Sequence, residues 1–126
     1  MEKDLKDILL KDFCARLPYN VKGLYYSTVM SLHMVDPFDN YHPLYCVTKS
    51  GSEYIGIDEF KPYLFPLSSM TEEQKREYHE LIGGFFGTSA LINFEDLEEL
   101  FYKNHIDFRG LIPKGLAIDA TGLNIY

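Results

Sequence analysis

In the first twenty residues the apolar positions fall three and four apart, at Leu5, Ile8, Leu9, Phe13 and Leu17, with Asp and Lys filling most of the gaps. That spacing lines one side of a helix, so an amphipathic helix is expected over about residues 3–16. Pro18 disfavours helical geometry at Leu17, which places a turn at Pro18-Tyr19-Asn20. Residues 21–34 are rich in Val, Tyr, Thr and Leu, side chains that suit a pleated surface, and predict a first strand. The turn formers Asp36-Pro37-Phe38-Asp39-Asn40 separate it from a second strand over residues 44–48, and Ser50-Gly51 precedes a third over residues 53–60. The last two are so close that they imply a hairpin, because a parallel crossover needs a dozen or more residues.

Residues 61–70 hold Pro62, Pro66 and two serines and suggest an extended connector wrapping the surface. Thr71-Glu72-Glu73-Gln74 matches a capping box. It opens a second helix that turns Tyr78, Leu81 and Ile82 inward and closes at Gly83-Gly84, with Phe85 and Phe86 following as core anchors. Asn93 is a suitable cap for a third helix with Phe94, Leu97, Leu100 and Phe101 as its buried stripe. Glu95, Asp96, Glu98 and Glu99 lie near its positive end, and Lys103 and His105 near its negative end. Gly110, Pro113, Gly115 and Gly122 then imply turns around short extended pieces such as residues 116–119. Strands and helices segregate along the chain, which predicts an α+β fold: a single domain, residues 1–126, in which a small antiparallel sheet of about three strands is packed by about three helices.

Composition adds limits. The chain is 46% hydrophobic and 15% aromatic, within the globular range and outside the disordered one. A net charge of −7 would repel a phosphate backbone at long range. The basic residues Lys3, Lys6, Lys11 and Arg16 are interleaved with acids, so no direct nucleic-acid binding is expected. Residues 71–126 carry ten acids against five bases, which would suit a basic protein partner. Cys14 and Cys46 could form one bridge at most, and both read as reduced, buried thiols. The first residues alternate in charge and no apolar run approaches the roughly 20 residues that span a bilayer. A cytoplasmic protein with no membrane contact is therefore expected.

Candidate chemistry is sparse. His33, His42, His79 and His105 fall on different elements without the close spacing of a zinc site, and the group His33, Asp36, Asp39 and His42 has the composition of a hydrogen-bonded turn. Ser68-Ser69 lacks the glycines of a nucleophile elbow, and Gly83-Gly84 with Gly87 lacks the lysine of a phosphate loop. No catalytic residue, metal or cofactor is assigned. In His105-Ile106-Asp107-Phe108-Arg109, an extended backbone would put His105, Asp107 and Arg109 on one face, where they could bind an anion or small ligand. The plainer expectation is that Asp107 and Arg109 pair and lock this segment onto the helices. Of ten tyrosines, Tyr25, Tyr26, Tyr45 and Tyr54 lie in predicted strands. An apolar ring with a polar tip suits an interface, though the same rings would also serve to pack helices on the sheet.

Three stretches, FCARLPYNV (residues 13–21), KPYLFPLSSMTEE (61–73) and DFRGLIPKGLAID (107–119), resemble a group of small uncharacterised proteins of gut Bacteroidales genomes, phages and mobile elements. The resemblance implies an accessory gene and carries over no catalytic residue. The expected function is a noncatalytic protein-protein interaction module of phage or mobile-element origin, working through the tyrosine-bearing sheet or the acidic second and third helices. In a specific form it is an acidic inhibitor that covers a nucleic-acid-binding surface on a host protein. The competing expectation is a small enzyme or ligand-binding protein using His105, Asp107 and Arg109.

Overall fold

The structure is a computed structural model and describes residues 1–82 and 94–126. Helix α1 (Lys3–Arg16) buries Leu9 and Phe13 as the apolar spacing requires, but Ile8 stays exposed. The buried side is completed instead by Asp12 and Arg16. Positions 9, 12, 13 and 16 share one face of a helix, so these two polar residues go inward with their apolar neighbours. A 3-10 turn (Leu17–Tyr19) follows and ends on Asn20 in the left-handed region, as the proline led us to expect.

Residues 21–34 form two strands rather than one. β1 (Lys22–Tyr25) and β2 (Thr28–Val35) pair antiparallel, and the chain reverses at Tyr26-Ser27, with Tyr26 at φ 52°. Tyr26, which takes the left-handed conformation, is not a usual turn former, and a lone Ser27 is too weak a signal to mark the reversal. Gly23 answers to a different constraint: a methyl group there would overlap the Phe60 ring that lies across β1.

β3 (Leu44–Thr48) and β4 (Gly51–Ile55) form the expected hairpin around Lys49-Ser50. The third strand expected over residues 53–60 stops at Ile55, where Gly56 donates to the Glu59 carboxylate at 2.9 Å and Glu59 donates back to the Gly56 carbonyl. The supposed connector is a strand, β5 (Phe60–Pro66), with Tyr63 and Leu64 buried. Its prolines, which remove ladder donors, hid a strand that pairs with β1, β6 (Ile106–Asp107) and β7 (Ile118–Asp119).

The sheet is accordingly larger than expected and mixed. Among the described residues seven strands form it, six in the order β4-β3-β2-β1-β5-β6 and β7 also on β5, and the pairings of β6 and β7 are parallel. The α+β class stands. Leu9 and Phe13 of α1 pack on Met30, Leu32, Leu44, Cys46 and Ile55, and Phe13 meets Phe60 edge to face at 5.7 Å. Fully burying each such side chain contributes about 1.5–3 kcal/mol.

Helix α2 (Glu72–Leu81) starts with the expected capping box: Gln74 N donates to Thr71 Oγ1 at 3.1 Å and Thr71 N to Gln74 Oε1 at 3.0 Å. Helix α3 (Phe94–Lys103) buries Leu100, Phe101 and also Tyr102, whereas Phe94 is 66% exposed and does not join the stripe. The expected features at Gly83-Gly84, Phe85, Phe86 and Asn93 lie outside the described residues. Both cysteines are free thiols, Cys46 buried and Cys14, contrary to expectation, exposed. No helix among the described residues is long and apolar enough to cross a membrane.

Candidate functional site

The segment that sequence singled out is held apart, not brought together. His105 sits in a left-handed turn at φ 58°, and its ring stacks on Tyr126 at 3.6 Å. Burial, then the charges of Arg16 and Lys22, lower its pKa to about 4. The Tyr126 hydroxyl accepts from Lys22 N at 2.9 Å and donates to the Tyr63 carbonyl at 2.8 Å; enclosed in this way, its pKa rises to about 12 by burial.

Asp107 is buried and accepts the backbone amides of Leu111 and Ile112, both at 2.8 Å, which closes the loop that follows it. Arg109 does not pair with Asp107. Its Nε reaches Asp12 Oδ1 at 3.0 Å and its Nη2 reaches the Tyr102 hydroxyl at 2.6 Å. Asp12 also holds Arg16 Nε at 2.8 Å, and Arg16 Nη2 donates to the Ile106 carbonyl at 2.8 Å. Asp12 and Arg16 are wholly buried, and both guanidinium groups lie near the Tyr102 ring, at 5.2 and 5.9 Å from its centroid. Thus α1, α3 and the segment after β6 are tied by one anion shared between two arginines.

This network explains the motif residues without chemistry. A groove of about 530 Å³ runs beside Arg109 between Pro66-Leu67-Ser68 and the loop to Pro113. The groups that would act there are engaged: Arg109 is held by the shared Asp12 and by the Tyr102 hydroxyl, and the Asp107 oxygens hold backbone amides. Of the basic residues Lys3, Lys6, Lys11 and Arg16, Arg16 is buried. Among the described residues no group of three or more His, Cys, Asp or Glu could hold a metal ion.

The four singled-out tyrosines separate by strand parity. Alternate residues of a strand point to opposite faces, and Leu44, Cys46 and Ile55 mark the side that packs on α1. Tyr45 and Tyr54 therefore lie on the outer face, paired across β3 and β4 with ring centroids 4.8 Å apart. Tyr25 packs against the core side, and Tyr26 projects from the turn beside it with rings 4.6 Å apart. Burial, and next the charge of and hydrogen bond to Glu53, raise the Tyr25 pKa.

Several outer-face residues had not been picked out. Val29 is 43% and Met34 53% exposed, beside the 64% of Tyr54, and Leu24 and Val47 extend the same surface half-buried. The pairing shifts register between Leu32 and Met34, so His33 bulges on this side with its ring 6.1 Å from Tyr45. The result is an open apolar and aromatic sheet face ending at an edge strand, β4, whose far side pairs with no other strand among the described residues.

Compared with known proteins, the chain matches no family model, and no curated protein and no solved structure is significantly similar to it.

Proposed function

We propose that the protein is a noncatalytic protein-protein interaction module, an accessory protein of the kind the resemblance to phage and mobile-element proteins suggests, and that the outer face of β1–β4 is its working surface. One observation carries this: Met34 and Tyr54 stand exposed on either side of Tyr45 in one cross-strand row of a sheet face whose opposite side is a packed core, with Val29 exposed farther along β2. Large apolar side chains grouped in this way on a folded surface mark contact sites more often than singly exposed ones. Tyrosine adds contact area at low entropic cost and a hydroxyl for orientation. An enzyme or anion-binding reading on His105, Asp107 and Arg109 is weaker, because the last two are engaged with Asp12 and backbone amides and His105 stacks on Tyr126.

A narrower form is an acidic inhibitor that lays the exposed Glu95, Glu98 and Glu99 of α3 on a nucleic-acid-binding protein; its sign would be a partner released by added DNA. The test of the general form is capture from a gut Bacteroidales lysate with the wild type and a Val29→Ser/Tyr54→Ser double variant. Phe38→Ser, in the β2–β3 loop, serves as control. A partner held by wild type and control and lost by the double variant is expected. A partner held equally by all three would overturn the assignment of the face.

A further inference from the structure

The β3–β4 hairpin determines which backbone groups of the edge strand are free. Its two-residue loop, Lys49-Ser50, makes Thr48 and Gly51 the closing pair, and antiparallel partners alternate along the ladder from there. Gly51, Glu53 and Ile55 thus direct their amides and carbonyls at β3, while those of Ser52 and Tyr54 point away from the sheet. The edge ends at Gly56, whose amide is taken by Glu59. β4 itself has no proline, lysine or bulge to block an incoming strand.

Side chains narrow the occupant. On the outer face the edge offers Tyr54 with Tyr45 behind it. On the inner face Glu53 stands exposed at the rim of a groove of about 270 Å³, lined by Tyr25, Thr28, Met30 and Thr48. A second copy of the chain is a poor fit. The antiparallel register that satisfies both Ser52 and Tyr54 sets Glu53 directly against its own counterpart, and each chain already carries −7. The same place suits a cation, which would meet the Glu53 carboxylate and the Tyr25 ring in that groove.

Resting on the interaction-module reading above, we infer that β4 accepts an extended segment of another polypeptide by strand addition, with a Lys or Arg of that segment opposite Glu53 and an apolar residue beside Tyr54. Ser52 and Tyr54 supply the main-chain hydrogen bonds. Glu53 supplies the sequence preference and keeps the edge from pairing with itself.

The test is a titration of the isotope-labelled full chain, followed by amide shifts, with an acetylated and amidated Thr-Val-Lys-Val-Thr peptide and its Glu-centred counterpart. The Lys peptide should shift the amides of Ser52 and Tyr54 and bind about fivefold or more tighter than the Glu peptide. Glu53→Lys should reverse that order. Ser52→Pro removes an amide that β3 does not use, so it should leave the β3 amide shifts in place and abolish binding. Equal binding of both peptides, no binding of either, or binding that survives Ser52→Pro would overturn strand addition. Should the edge fail while the Val29→Ser/Tyr54→Ser variant still loses its captured partner, only this inference falls and the outer face remains.

Discussion

Removing the Asp12 carboxylate would strand two guanidinium groups, one of them wholly buried. A buried charge left without its partner costs about 3–5 kcal/mol, a large share of the roughly 5–15 kcal/mol that holds a domain folded. Asp12→Ala should therefore shift the urea midpoint down steeply, and a loss of less than about 1 kcal/mol would contradict the network. His105 gives a second prediction at this scale. The folded protein keeps its imidazole neutral down to about pH 4, whereas the unfolded chain protonates near the ordinary 6.5. In that window the unfolded state binds the extra proton, so this group's contribution to stability is present above pH 6.5 and lost as pH falls toward 4. His105→Asn, which tolerates the left-handed backbone, should flatten the stability-pH curve between those values relative to wild type. Thermal unfolding at several pH values checks it.

At the level of elements, β1 and β5 depend on the absence of a side chain at Gly23. Gly23→Ala would push Phe60 off β1 and out of its edge-to-face contact with Phe13. Overpacking of this kind costs about 1–3 kcal/mol, which chemical denaturation would show. The helices were legible because capping and spacing are local signals: α1 matches its expected range, and α2 opens on the capping box of Thr71 and Gln74. The strands were less so. The turn at Tyr26-Ser27 puts a tyrosine in the left-handed position and has only one weak turn former, and Pro62 and Pro66 disguise β5. β6 and β7, two residues each, exist only because distant chain pairs with β5. Within the candidate site, Tyr45 and Tyr54 could be named from sequence by residue type. Val29 and Met34 could not, since both faces of β2 carry apolar residues and the bulge at His33 breaks the alternation. The inward turn of Asp12 and Arg16 was hidden by the rule that charged positions of a helix face water.

Over the whole molecule the two sides of the sheet differ in kind. One side is consolidated: α1 lies on the core, and Asp12 joins α1 to α3 and to the segment after β6 through Arg16, Tyr102 and Arg109. The other keeps Val29, Met34 and Tyr54 in water and ends at the open edge of β4. Burial, not the side of the sheet, separates the two thiols: in the native protein Cys14 should react with a thiol reagent while Cys46, buried and with its pKa pushed up to about 12, waits for denaturant. Whether the open face is where the protein works is tested most directly by placing a photo-crosslinking phenylalanine analogue at position 54, and separately at position 98 on the exposed side of α3, in cells that carry the natural partner. A discrete adduct from position 54 and none from position 98 is expected; an adduct from position 98 alone would contradict the outer sheet face as the working surface.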